Sequence, residues 1–365
     1  MTRLIVAAGG GGDAVAATVV DAALYGGSGS PAVILTYAWD RLLVDPVPGP
    51  RGPDDFTGLA PLTPSVRTVP PTARPIAPAG STLPRLANEL PHTFALLDPQ
   101  HGAEGIAHQL DALVHHLNPE SIDLLDVGGD ILARGDEPTL RSPLADALTL
   151  AACSQLGSRV RLLIAGPGLD GEIPAEDLAD RMGPPLLTFT SKHIEPISPV
   201  LEWHPSEATG MLAAAARGVR GLCEVRGAGL PVPLTEHSAT LHEAALNQAL
   251  HRNTLARALL TTKTLAEAEQ RSREICGYSE IDYERTKAKR LATQLPHEID
   301  PTRTLHRLDE FEAAARRRGI THTTFRRITE ALGFDGKHRQ DLRKLLITRR
   351  PFQYEAPLWR ISRGA

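Results

Sequence analysis

The stretch Leu4-Ile5-Val6-Ala7-Ala8-Gly9-Gly10-Gly11-Gly12-Asp13-Ala14-Val15-Ala16-Ala17 decides the fold. Five apolar residues suit a short buried strand, glycines interrupt it, and an alanine- and valine-rich run then suits a helix. A strand, a glycine turn and a helix N-terminus together make a place where an anion or nucleotide can sit. Glycine lets the backbone approach a ligand closely, and the first helical N–H groups have no intrahelical partner. Four glycines in a row exceed what a tight connection needs, so Gly9, Gly10, Gly11 and Gly12 are read as ligand-binding residues. Asp13 stands where an N-cap or first-turn acid belongs and joins them. A carboxylate there repels a bare anion unless a metal ion or a hydroxyl group lies between. The spacing is not the dinucleotide fingerprint, because Ala14 occupies the third glycine's place. It is not a Walker A loop either, because no Gly-Lys-Ser/Thr follows. Both observations disfavour NAD binding and ATP hydrolysis by those modes.

Working outward, short apolar runs at 32–35, 94–97, 122–126, 159–164 and 186–189 alternate with helical patterns at 13–24, 103–117, 145–156 and 175–181. Strands alternating with helices predict the α/β class: a Rossmann-like, mainly parallel sheet flanked by helices, over residues 1–200. Residues 201–300 read as a mixed α/β extension completing the core. There Ser206 is the expected N-cap of an alanine-rich helix, and 222–226 and 230–234 read as strands of a hairpin about Gly227-Ala228-Gly229. From about residue 241 the chain reads as mostly helical, ending in a basic helical segment over 301–365. Residues 46–80 are too rich in Pro and Gly for a regular helix, and read either as a lid over the site or as a solvated connection.

The predicted strands end in polar or glycine residues, and in open α/β sheets ligands bind beyond those ends. Asp40 and Arg41 follow the second strand; Asp98, Gln100 and His101 follow the third. Asp126-Val127-Gly128-Gly129-Asp130 ends the fourth, and Gly166-Pro167-Gly168-Leu169-Asp170-Gly171-Glu172 the fifth. Asp126 and Asp130 are candidate catalytic residues and candidate ligands of a divalent cation, Mg²⁺ or Mn²⁺; the competing reading is a capping acid and a turn acid. Gly128, Gly129, Gly166 and Gly168 are candidate binding glycines. Asp170 and Glu172 either join the acids or belong to a solvated turn. His101, at a strand end and off any helix face, is a candidate general base. Lys192-His193 reads as an anion contact or a surface loop. Glu202 and His204 line a pocket, or Trp203 simply buries itself.

Composition narrows the class. An apolar fraction of 42 % builds a real core, and a net charge of −4 with a pI near 6.4 suits an ordinary soluble, cytoplasmic protein. Three widely spaced cysteines without a CxxC pair argue against a disulfide framework and a zinc–thiolate site. No apolar run reaches the ~20 residues needed to span a bilayer. Without a Gly-x-Ser-x-Gly elbow or a suitable cysteine, nucleophilic acyl transfer is a poor fit. Residues 316–350 hold eleven Lys or Arg against three Asp or Glu. They read as a solvated face or a basic cap over an acidic body, with nucleic-acid binding as the alternative.

The combination of Ala7–Asp13 as AAGGGGD, Asp126–Asp130 as DVGGD and Gly166–Glu172 as GPGLDGE resembles the DUF1152 family of archaeal and actinobacterial proteins. The resemblance covers roughly residues 1–290 and implies a Rossmann-like domain. It supplies no catalytic residues, because no function is assigned to the family. The sequence thus leads to an enzyme, a hydrolase or lyase before an oxidoreductase, acting on a nucleotide-like or phosphorylated small molecule at the glycine loop. A homo-oligomer with a place in biosynthesis is expected. The alternative is a ligand-sensing or nucleic-acid-associated protein using its basic C-terminal helices.

Overall fold

The computed structural model describes residues 2–26, 30–226, 230–292 and 298–361. Five parallel strands form the centre: β1 (Arg3–Ala7), β2 (Val33–Tyr37), β3 (Thr93–Leu97), β4 (Ser121–Val127) and β5 (Val160–Ala165). Their order across the sheet is β5-β4-β1-β2-β3, all parallel. The chain runs from β1 outward through β2 to β3, then returns to β1's other side at β4. This reversal puts a topological switch point at the C-terminal end of β1, where doubly wound sheets bind their ligands. The Rossmann-like, mostly parallel α/β reading is therefore correct.

Period-two alternation in the apolar strands divides their side chains between two cores. Ile5, Ala7, Ile34 and Leu125 point to one face, where α1 (Gly12–Tyr25) packs. Leu4, Val6, Leu35 and Leu124 point to the other, covered by α2 (Gly102–Leu117) and α3 (Pro143–Ser154). Both faces of β1 are dry, which explains why its sequence is a continuous apolar run.

Residues Thr240–Ala244 are not helical; they form a strand that pairs antiparallel with β5 and carries strand Pro185–Thr188 on its outer side. The Pro/Gly-rich segment is neither a lid nor a simple connection. Its short strands Ala60–Pro61 and Arg67–Thr68 extend the sheet beyond β3, and no residue of 46–80 lines the cleft described below. The hairpin strands Gly221–Val225 and Leu230–Leu234 pair as expected, although the turn residues 227–229 lie outside the described set.

The C-terminal segment is not wholly helical. Beyond α4 (Glu207–Ala216), α5 (Glu280–Ala292) and α6 (Pro301–Arg317), α7 (Phe325–Ala331) and α8 (Arg339–Arg349) close a third core around Leu308, Ile328, Leu342 and Trp359. Short strands His322–Thr323, Tyr354–Glu355 and Leu358–Arg360 join the hairpin in a second, five-stranded sheet. Buried Glu224 on the hairpin pairs with Arg318 and Arg327, fastening this segment to the body. Among the described residues no helix is long and apolar enough to cross a membrane. Cys153, Cys223 and Cys276 are free thiols.

Candidate functional site

At the switch point lies a cleft of about 850 Å³, lined by Gly9–Asp13, by residues following β2, β4 and β5, and by the starts of α3, α4 and α5. Nine carboxyl groups and three guanidiniums line it. The carboxylates arrive from separate elements. Asp13 starts α1, Asp126 ends β4, Asp146 lies in the first turn of α3, and Glu280 opens α5.

Asp13, Asp126 and Asp146 are buried, and each offers one oxygen so that the three lie within 4.8 Å of one another. The Gly9 N–H donates to Asp13 Oδ2 at 2.8 Å; those of Gly129 and Ile131 donate to Asp126 Oδ2 at 3.0 and 3.2 Å. These bonds aim the carboxylates, and Asp146 Oδ1 is left buried without a partner. Burial pushes the Asp13 carboxyl up to about 7, against the pull of the Gly9 N–H and Arg41. Burial and neighbouring carboxylates hold Asp126, Asp130 and Asp146 well above the usual carboxylate range. Three close carboxyl groups in a dry site either keep protons or neutralise a cation. All-oxygen donors on separate rigid elements fit a hard divalent ion such as Mg²⁺ or Mn²⁺.

The cleft's other wall is cationic. Burial opposes ionisation of Glu172, but Arg226, at 2.7 Å, and donors from Ser142 and Arg141 outweigh it and hold the carboxylate below its ordinary range. Arg226 also donates to the Asp170 carbonyl oxygen. Asp170 is pushed up to about 7 by burial and by Glu172; its Oδ1 accepts the Glu172 N–H, and its Oδ2 has no partner. Glu280, raised to about 8 by burial and Glu284, likewise leaves Oε2 unpaired.

The residues singled out in the sequence divide as follows. Gly9–Gly12, Asp13, Asp126 and Asp130 line the cleft, with Asp170 and Glu172. Asp130 lies beside the group of three acids and is not one of its members; Asp146 takes the place expected for it. Gly128, Gly129, Gly166 and Gly168 do not line the cleft. All four have positive φ, and a Cβ on them would strike Asp170, Leu178, Leu169 or Ala175, so they serve turn geometry. His101 is exposed on the residue before α2 and is not among the lining residues, because β3 lies two strands from β1. Exposed Lys192 and half-buried His193 stand apart similarly. Asp146, Arg226, Glu280 and Arg326 were not anticipated. For Asp146 one signal existed: it is the lone charge in Pro143-Leu144-Ala145-Asp146-Ala147-Leu148 and the apolar helix that follows.

Against protein-family models, residues 4–288 match the family described as protein of unknown function, DUF1152. No curated protein matches the chain. No solved structure matches it.

Proposed function

The chain belongs to the DUF1152 family, and we propose that it is an enzyme acting on a phosphorylated or nucleotide-like polar small molecule, by hydrolase or lyase chemistry at the end of β1. One arrangement carries this reading: three mutually close, buried carboxylates beside the glycine loop, with Arg41, Arg226 and Arg326 lining the same cleft. The carboxylates so outnumber the arginines that an anionic ligand needs a cation to enter. Asp13, Asp126 and Asp146 would hold that ion, which when bound supplies Lewis-acid polarisation and a more acidic water.

The chain's own groups divide the remaining work. Arg226, fixed by Glu172, presents a guanidinium to an anionic group. Gly9 leaves room above the carboxylates that a side chain would occupy. Asp170, poised near neutrality with Oδ2 free, holds or delivers a proton at that atom. Ion pairs of Arg318, Arg326, Arg327 and Arg343 with Glu224, Glu207 and Glu202 of the body support the basic-cap reading of the C-terminal segment over nucleic-acid binding.

The test is a thermal-shift screen of nucleosides, nucleotides and sugar phosphates, each with and without Mg²⁺ or Mn²⁺. A ligand at a hundredfold excess over Kd adds about 2.7 kcal/mol of stability. The reading predicts a shift that needs both ligand and metal and disappears in Asp126→Asn. Metal-independent shifts that survive Asp126→Asn would contradict it.

A further inference from the structure

A second cavity, of about 520 Å³, adjoins the acidic cleft and shares with it the segment 204–207 and Arg326. Its charge is opposite in kind: Arg326, Arg339 and Arg343 line it against Glu202 and Glu207. Arg326 is paired with Glu207 at 3.1 Å, and Arg343 is held by Glu202 and the Tyr354 hydroxyl while stacking on Phe325. Arg339 differs. It donates to the Trp203 carbonyl oxygen, and no carboxylate among the described residues pairs with it. Burial, then Arg343, Arg326 and Arg85 nearby, lower its guanidinium to about 10, against the weaker pull of Asp40.

A buried donor lines the same space. His204 is 9 % exposed, and its Nδ1 accepts the Ser206 N–H at 3.3 Å. Burial pushes the imidazole down to about 3, so it is neutral and its proton resides on Nε2. That Nε2–H has no acceptor.

We propose that this compartment binds an oxyanion, a phosphate or carboxylate group, through Arg339 and the Nε2–H of His204, with Arg343, already paired with Glu202, lining the same space. It deepens the functional reading above, and rests on it only in assigning this oxyanion to the substrate. The substrate then carries two polar ends, one beside the carboxylate cluster and one anionic end here. Arg326, Arg339 and Arg343 all follow residue 288, where the family match ends, so the C-terminal segment supplies this selectivity.

The experiment is calorimetric titration of the full chain with inorganic phosphate and, separately, acetate, at low ionic strength and without divalent ions. One saturable site is expected. Arg339→Gln should weaken it at least about tenfold, as loss of a charge-assisted fork implies, and His204→Ala should also weaken it, whereas Asp146→Asn should leave it intact. Arg339 opens α8 and is partly exposed, so its replacement spares the apolar core; Arg339→Lys, keeping charge without the fork, should fall between. Tighter phosphate binding identifies a phosphoryl end, tighter acetate binding a carboxylate end. No saturation by either anion up to about 20 mM, or equal binding by Arg339→Gln, overturns the proposal. Neither result bears on metal binding by the carboxylates, which is read separately with Mn²⁺.

Discussion

A Cβ placed on Gly9 would stand 3.3 Å from both carboxylate oxygens of Asp146, and 3.1 Å from Asp13 Oδ2. The first glycine of the loop therefore serves the acids of α1 and α3 by leaving empty the space toward which they turn. Gly12 serves packing instead: its Cβ would lie 1.9 Å from Ser206 Oγ and 2.7 Å from Thr209 Oγ1, where α4 meets α1.

This contrast separates two alanine variants. Gly9→Ala, at a position without positive φ, should stay folded and lose at least about tenfold in Mn²⁺ affinity, since the methyl group intrudes among the ligands. Gly12→Ala should lose about 1–3 kcal/mol of stability by forcing α1 and α4 apart. Urea melts and Mn²⁺ titrations of both variants check the pair; equal Mn²⁺ affinity in Gly9→Ala and wild type would refute the cation's placement.

Asp146→Asn should raise the stability of the metal-free chain, because it removes one of three crowded buried carboxyl groups. The same variant should lose the stabilisation that Mn²⁺ gives wild type, about 2.7 kcal/mol at a hundredfold excess over Kd. Thermal melts with EDTA and with Mn²⁺ should therefore rank the two proteins in opposite orders.

The pH dependence follows from linkage. Asp13 and Asp170 have folded-state values near 7, above the ordinary 3.8, so between those values the folded chain binds more protons than the unfolded one. The stability these groups lend the metal-free chain should fall as pH rises through that window, and Glu280, raised to about 8, should extend the fall beyond 7. Mn²⁺ must displace the proton of Asp13, so its affinity should climb over the same range. Urea melts and Mn²⁺ titrations at pH 5, 6, 7 and 8 test both trends.

Arg226→Met leaves Glu172 buried without its partner and should cost about 3–5 kcal/mol. Adding Glu172→Gln should recover much of that loss, giving a double-mutant coupling well above the noise of independent sites. Full additivity of the two changes would mean that the pair does not hold the cleft wall.

The strands and the glycine turn were legible because their causes are local: apolar runs set β1 to β5, and the Ser206 side chain does accept the Thr209 N–H as its helix begins. Asp13, Asp126 and Asp130 were legible because they stand at strand ends near the switch point. Asp146 was hidden because an acid in the first turn of a helix ordinarily answers the helix dipole. Arg226 and Glu280 reach the cleft only through tertiary packing, from a hairpin end and from α5. Strand Thr240–Ala244 was missed since its pairing partner, β5, lies about 80 residues back in the sequence and helices follow it at once. His101 misled because strand-end position alone does not say how far a strand lies from β1.

On this reading Asp13, Asp126 and Asp146 hold one divalent cation at the end of β1. Electron paramagnetic resonance of free Mn²⁺, titrated with wild type and with Asp126→Asn, tests it most directly. One Mn²⁺ should bind per wild-type chain near neutral pH and be displaced by Mg²⁺, with affinity at least about tenfold lower in a folded Asp126→Asn. Unbound Mn²⁺ throughout the wild-type titration, or equal binding by the variant, would contradict it.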